Sequence, residues 1–473
     1  AQFGEPIYPY LQPLDTVCNA PDSDLWHTLI EADNYHALQL LEYLYAGKVD
    51  CIYIDPPYNT GNDFVYADDF ADPMARYKEV TQQTTKSNPE TMGRYHTNWL
   101  NMMYPRLRLA ANLLRDDGVI FISIDDVEID NLKKLCNEIF GEENFVAQFI
   151  WQSRQNKDNR NITGVSIDHE YVVCYTKQFG HRVFRGTDRK TEQYKNPDND
   201  PRGPWTSANM VGLATADARP NLHYDLINPA DGRNYGCPEK GWRYDRNTMN
   251  RLIQEGRIIW PDNPDGRPRK KSFLNELSDN LPGFSSVFST GVYTNTATKE
   301  IGGLFNKYLF DFPKPVEVIK QLVSQVSNTD DIILDFFSGS ATTAHAVMQL
   351  NAEDGGNRRF ILVQLPELCD EKSEAYKTGY KNICEIGKER IRRAGKMLKD
   401  ALESSGLFVR AMKRHQDQHD SLEGFAYAEW EESPEVINAK KEMAAKLDVG
   451  FRVFKLDTSN LETWDATPIE NEQ

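Results

Sequence analysis

Long apolar runs are missing from this 473-residue chain: no stretch approaches the ~20 residues that a membrane-spanning helix needs. The opening Ala1-Gln2-Phe3-Gly4-Glu5-Pro6 lacks the charged-then-apolar order of a signal peptide, and a start without methionine points to a trimmed chain or a processed end. Seven cysteines (Cys18, Cys51, Cys136, Cys174, Cys237, Cys369 and Cys384) make an odd set with no C-x-x-C pair. That argues against a disulfide framework and a cysteine zinc site, so no metal is expected and a reducing cytoplasm is the simplest compartment. The G-x-G-x-x-G fingerprint of a dinucleotide fold is absent, which leaves an oxidoreductase without its main signal. No internal repeat is present. Positive charge is scarce too, and a formal net charge of −17 argues against a general binder of polyanions. Residues 181–300 are the exception, with 18 Lys and Arg against 15 Asp and Glu. Within them Arg267, Arg269, Lys270 and Lys271 cluster near Trp242, Tyr244 and Trp260. Such a mixture can reach phosphates and stack on bases, or simply form a solvated basic loop.

What is there begins with the apolar run Val49-Asp50-Cys51-Ile52-Tyr53-Ile54, which stops at Asp55-Pro56-Pro57-Tyr58. A buried strand with a polar loop at its C-terminal end is where open α/β sheets bind ligands. Each proline fixes its own φ and pushes the preceding residue toward extended backbone. An ionised Asp55 accepts hydrogen bonds without donating, and the prolines offer only carbonyls, so the loop is an acceptor-only pocket suited to an exocyclic amine. Tyr58 supplies a flat face on which a ring can stack. Alone, the motif is equally well an ordinary turn.

A second constellation lies far downstream. Ile332-Ile333-Leu334-Asp335-Phe336-Phe337-Ser338-Gly339-Ser340-Ala341-Thr342-Thr343 reads as a buried strand, an acid, a turn of small residues and a helix start. Small residues let a ligand lie against the backbone, and a helix N-terminus presents unpaired N–H groups and the positive end of its dipole. A nucleotide-like or carboxylate-bearing ligand suits it, and a well-capped turn of no function is the alternative.

Between and around these motifs the chain has an α/β rhythm. Residues 25–48 read as helical, interrupted at Ala32-Asp33-Asn34. A bent helix is expected over 94–115, a strand over 119–124, a helix over 127–140, and strands over 145–152 and 171–176. From about 180 to 300 Gly, Pro, Asn and Asp dominate without a period, as in an irregular inserted domain. The rhythm resumes with helices over 314–327, 340–352 and 380–402 and strands over 331–336 and 359–365. An acidic tail follows from 403, with one strand-like piece, Phe451–Leu456.

The two motifs together resemble the catalytic and cofactor motifs of amino-group DNA methyltransferases, and their order resembles the permuted beta class. Arg94 to Leu107, Gly118 to Asp126, Asn351 to Arg358 and Gly450 to Lys455 are further similar to the modification subunit of type III restriction-modification systems. The resemblance implies an α/β fold, a Rossmann-like S-adenosylmethionine-dependent methyltransferase sheet in permuted order. Its domains would be a catalytic half at 1–180, a target-recognition domain at 181–300, a cofactor half at 301–402 and a C-terminal extension at 403–473. It implies that Asp55 and Pro56, with Pro57 and Tyr58, hold a flipped adenine. Asp335, Phe336, Phe337, Ser338, Gly339, Ser340, Thr342 and Thr343 would bind the cofactor, with Asp33 and Asn34 at its adenine end and Phe312 and Lys314 of Phe-Pro-Lys-Pro lining the same pocket. Ala341 replaces a second glycine of the pattern, and Gln364 stands where relatives have an acid for the ribose hydroxyls. The implied function is adenine-N6 methylation of double-stranded DNA in a bacterial or archaeal cytoplasm, as a homodimer paired with a restriction (helicase-nuclease) subunit. DNA contacts would come from Arg267, Arg269, Lys270 and Lys271. Cytosine-N4 methylation and a catalytically weak DNA-targeting subunit are the alternatives. His96 and His169 are candidate general bases, with satisfied structural histidines the simpler reading.

Overall fold

The computed structural model of the chain describes residues 9–17, 27–60, 89–158, 163–180, 183–187, 191–263, 266–277, 281–403 and 434–458. The chain divides into two compact units, one from residues 1–185 and 285–473 and the other from residues 186–284.

A ten-stranded sheet carries the larger unit. Its first six strands are β1 (Pro9–Val17), β2 (His27–Glu31), β3 (Val49–Ile54), β4 (Leu114–Ile124), β5 (Phe145–Gln152) and β6 (His169–Thr176). Three strands of the smaller unit intervene, followed by β10 (Val287–Phe288), β11 (Ile332–Asp335), β12 (Arg359–Gln364) and β13 (Phe451–Thr458). The order across the sheet is β1-β13-β2-β12-β11-β3-β4-β6-β5-β10. From β13 to β4 all neighbours are parallel, while β1, β6 and β5 pair antiparallel. Parallel strands covered on both faces read as near-continuous apolar runs, and every residue of β3 and β11 is buried.

The winding reverses between β11 and β3. The chain steps from β11 outward to β12 on one side and from β3 outward to β4 on the other, so the crevice at their C-terminal ends is the topological switch point of the sheet. Cys51 pairs with Ile333 and Ile52 with Leu334, so Asp335 and Asp55 leave adjacent strands at the same edge.

One expectation is corrected by these elements. The helix expected over 25–48 starts only at Asn34 and ends at Tyr45, capped by Asp33, which accepts from the Tyr35 N–H at 2.8 Å. His27–Glu31 is a strand, because Leu29 and Ile30 are buried on opposite faces between β12 and β13. The strand-like Phe451 piece is a strand, Phe451–Thr458. It enters the main sheet between β1 and β2, and the helix Pro434–Lys446 that leads to it packs on the helix Ile383–Glu403.

The smaller unit holds β7 (Trp205–Ala208), β8 (Ile258–Ile259) and β9 (Arg269–Phe273), antiparallel in the order β7-β9-β8, and the helix Arg246–Gln254. Its own core gathers Met210, Tyr224, Leu226, Trp242, Met249, Leu252 and Ile258. Residues 285–300, expected in the insert, belong to the larger unit, where β10 pairs with β5.

Candidate active site

The loops after β3 and β11 open onto one cavity of about 220 Å³, whose lining includes Asp55 from the first motif and Asp335, Phe337, Ser338, Gly339 and Ser340 from the second. Phe312 and Lys314 form another wall, and Thr342 and Thr343 close it at the start of the helix Thr342–Asp354. The two motifs, 280 positions apart in sequence at Asp55 and Asp335, therefore share a single space.

Lys314 joins the walls. Its Nζ donates to both Asp55 oxygens, at 2.9 and 3.0 Å, and to the Tyr58 hydroxyl at 2.7 Å. It also lies 3.2 Å from Glu170 Oε2, which accepts from the Tyr58 hydroxyl at 3.0 Å. Burial pulls the Lys314 ammonium down, but the charges of Asp55 and Glu170 and their hydrogen bonds outweigh it, so the group is held above its ordinary range. Burial first, and then the charges of Asp55 and Glu170, push the Tyr58 phenol well above its usual value. It stays a donor at neutral pH.

The acid-Pro-Pro-Tyr loop is fixed from behind. Buried Trp99 donates its indole N–H to the Pro57 carbonyl at 2.7 Å. Asn59, in the left-handed region at φ 58°, donates to Glu128 Oε1 at 2.5 Å, and His96 Nδ1 meets the same oxygen at 2.6 Å. His96 thus serves the loop as a brace, and His169 bonds the Tyr171 hydroxyl at 2.8 Å.

On the β11 side, Asp335 accepts from the Phe337 N–H at 3.0 Å and from the Thr343 hydroxyl at 2.5 Å. Burial still pushes its carboxyl up to about 7. Gly339 has φ 50° and Ala341 φ 64°, which turn the chain tightly into the helix. Arg390, fully buried, donates to Ser340 Oγ at 2.7 Å and Thr342 Oγ1 at 2.6 Å, placing a cation beneath the turn. Ser338 Oγ is buried with no hydrogen-bond partner among the described residues. An unsatisfied hydroxyl, a helix N-terminus and an underlying cation suit the zwitterionic amino-acid end of a ligand, so the residues fit the cofactor that the resemblance implies.

Several expected site residues do other work. Asp33 caps its helix and pairs with Arg106 at 3.2 Å, and Asn34 donates to the Phe336 carbonyl at 2.7 Å. Neither lines the cavity, nor does the fully buried Phe336. Gln364 Oε1 accepts from the Gly339 N–H at 2.6 Å, so its amide braces the turn instead of facing the cavity. In the basic cluster, Lys271 is buried and paired with Asp198 and Asp200, which withdraws it from any phosphate. Arg269 donates to Ser207 Oγ at 2.5 Å, Lys270 lies over the Tyr244 ring at 5.3 Å, and Arg267 is exposed. Trp242, 1 % exposed, is core and not a stacking platform. Glu170, Trp99, Arg106 and Arg390 were not found from sequence. Glu170 carries no periodic signal, and the others look like ordinary members of amphipathic helices.

The DNA methylase family matches residues 49–394. The StyLTI Mod subunit of a type III restriction-modification enzyme from Salmonella typhimurium is 33% identical over 91% of this chain and 67% of its own length. The EcoPI Mod subunit of Escherichia phage P1 is 35% identical over 77% of the chain and 61% of its own length. The type II methyltransferase M.KpnI of Klebsiella pneumoniae is 32% identical over 80% of the chain and 88% of its own. The chain thus spans about two thirds of the length of the Mod subunits it matches. With its two motifs joined at one sheet edge, this protein belongs to the DNA methylase family, alongside the Mod subunits of type III restriction-modification enzymes.

Proposed function

We propose that the chain is a site-specific DNA adenine-N6 methyltransferase that takes its methyl group from S-adenosylmethionine. The observation that carries this is the shared cavity, in which Asp55, the acid of the Asp-Pro-Pro-Tyr loop, faces a small-residue turn at a helix N-terminus. When bound, S-adenosylmethionine supplies an electrophilic methyl group. Ser338, Gly339, Ser340, Thr342 and Thr343 would hold its amino-acid end, with Asp335, Phe337 and Phe312 around it.

The chain's part is positioning. An adenine amine has two N–H groups, and the Asp55 carboxylate and Pro56 carbonyl accept them, turning the nitrogen lone pair toward the cavity. Tyr58 offers its ring face to the base. Flipping the base out of the duplex costs about a few kcal/mol, offset by that stacking and those hydrogen bonds. As the nitrogen forms its new bond to carbon it must shed a proton, and Asp55 Oδ stands where it can accept one. In-line placement supplies most of the rate, since methyl transfer asks little of acid-base catalysis.

Residues 186–284 are proposed to read the target sequence, through exposed Arg267 and Arg269 and the partly exposed Lys270. Double-stranded DNA is the proposed substrate, and a second copy of the chain and a restriction subunit the proposed partners, in the cytoplasm. Among the described residues no helix is long and apolar enough to cross a membrane. Incubation of the protein with unmethylated genomic DNA and tritiated S-adenosylmethionine, followed by nucleoside analysis, tests the reading. N6-methyladenine is expected, and N4-methylcytosine alone would overturn it.

A further inference from the structure

We propose that Lys314 is a gate on the target pocket: its ammonium occupies the acceptors of Asp55 and Tyr58 as well as Glu170 while no base is present, and is released from Asp55 to Glu170 alone when an exocyclic amine arrives. This rests on the methyltransferase reading and assigns that site a positioning residue which the sequence placed with the cofactor.

The geometry is that of an occupied amine seat. An ammonium has three N–H donors, and four oxygens stand within reach of this one: Asp55 Oδ1 at 2.9 Å, Asp55 Oδ2 at 3.0 Å, Tyr58 Oη at 2.7 Å and Glu170 Oε2 at 3.2 Å. An incoming amine needs the same Asp55 oxygens, so the two compete. Charge sharpens the conflict. The target nitrogen becomes positive as it is alkylated, and a cation bonded to the same carboxylate in a buried pocket opposes that. Glu170, on a different strand, β6, already touches the ammonium, so a small shift of the four-carbon lysine stem frees Asp55 while the cation keeps a carboxylate partner and Pro313 and Pro315 hold the backbone. The cation cannot simply be dispensed with. Without it, Asp55 and Glu170 would be like charges sharing one pocket, and one would take up a proton. A protonated Asp55 donates, and the acceptor-only character of the loop is lost.

The titratable groups around Nζ are Asp55 and Tyr58 on the loop after β3, Tyr53 on β3, Glu170 on β6 and Asp335 on β11. Burial holds both phenols protonated far beyond neutral pH, and Asp335, raised to about 7 by burial and in part by the charge of Asp55, follows the protonation of that carboxylate. A displaced acid limb in a lysine variant therefore reports on the Asp55–Glu170 pair.

The test compares the full chain with Lys314→Met, Glu170→Gln and the double variant. Single-turnover methylation of unmethylated genomic DNA is followed from pH 5 to 9, with calorimetric titration of S-adenosylmethionine alongside. Lys314→Met is expected to move the acid limb of the rate upward by about one pH unit or more while cofactor affinity stays within about twofold. Glu170→Gln is expected to slow transfer about tenfold when Lys314 is present; when Lys314 is methionine it is expected to change the rate at pH 9 less than about twofold and to bring the acid limb back toward wild type, because Glu170 then acts only as a like charge beside Asp55. Glu170→Gln preserves shape, so its slowing stands even if the methionine variant folds poorly. Additive losses, an unmoved pH profile, or a cofactor affinity that falls with Lys314 would overturn the gate. A wild type that binds S-adenosylmethionine yet methylates no DNA would instead overturn the methyltransferase reading on which the gate depends.

Discussion

The carboxylate of Asp55 and the ammonium of Lys314 lie 259 positions apart in the chain and 2.9 Å apart in space. One ends the first half of the parallel sheet and the other precedes the helix that leads into β11, so their pairing marks where the two halves of the fold meet over the site.

Replacing Asp55 separates chemistry from cofactor binding. Asp55→Ala removes the acceptor for the target amine but touches none of the contacts of the 338–343 turn. Methyl transfer is expected to fall by at least about a hundredfold, the scale of losing one preorganised group at a reacting centre. Calorimetry with S-adenosylmethionine is expected to give nearly wild-type affinity. Parallel loss of both would mean that the Lys314 cation, left beside Glu170 alone, has disturbed the fold.

Asp335 makes stability depend on pH with a definite sign. Its carboxyl is raised from 3.8 to about 7 by burial, so between those values the folded protein holds a proton that the unfolded chain has lost. Stability from this group is present below its ordinary value, declines as pH rises toward 7 and is flat above. Asp335→Asn removes the effect. The melting temperature of the variant minus that of wild type is expected to climb from pH 4 to pH 7 and then level off. A difference that stays constant across that range would show that Asp335 does not carry the proton.

Ala341 stands where the general motif has glycine, and its backbone shows why only a small residue serves. At φ 64° and ψ 39° it is left-handed, at a cost of roughly 1–2 kcal/mol for a residue with a side chain. Its methyl is buried, and a Cβ on Gly387 of the neighbouring helix would come within 3.5 Å of it. Relief of strain in Ala341→Gly is offset by lost burial and added chain entropy, so urea denaturation is expected to place it within about 1 kcal/mol of wild type. Ala341→Val adds β-branching in the left-handed region and crowds the Gly387 backbone, and is expected to cost more than about 2 kcal/mol.

The sequence exposed the strands that end at Asp55 and Asp335, because parallel strands buried on both faces are continuous apolar runs and the residues ending them are polar by contrast. It did not reveal that Lys314 bonds Asp55, because that depends on which loops the sheet order makes neighbours, and β3 beside β11 is a nonlocal pairing. The helix misread over 25–48 has the same origin: Leu29 and Ile30 look helical by spacing, and the strands on either side of them come from residues 359–364 and 451–458. Gln364 and Asp33 were assigned to ligand from motif position, whereas the local hydrogen bonds of Gly339 and Tyr35 take up their side chains.

Within the smaller unit, four basic residues that look alike in sequence are expected to behave as two kinds. Lys271 is paired with Asp198 and Asp200, whose carboxyls are held below their usual range by hydrogen bonds from Lys271 and from Arg202 respectively. Lys271→Ala leaves Asp198 without its cation and Asp200 held by Arg202 alone, and is expected to lower the melting temperature while the DNA affinity of the folded fraction is little changed. Arg267 is exposed, so Arg267→Ala is expected to leave melting unchanged. If it meets a phosphate, its loss weakens binding across all sequences and reduces the slope of log affinity against log salt by about one. Fluorescence anisotropy with a labelled duplex at several salt concentrations reads both effects. An unchanged slope for Arg267→Ala, or a changed one for Lys271→Ala, would reverse the assignment and place the nucleic-acid face on the other side of β9.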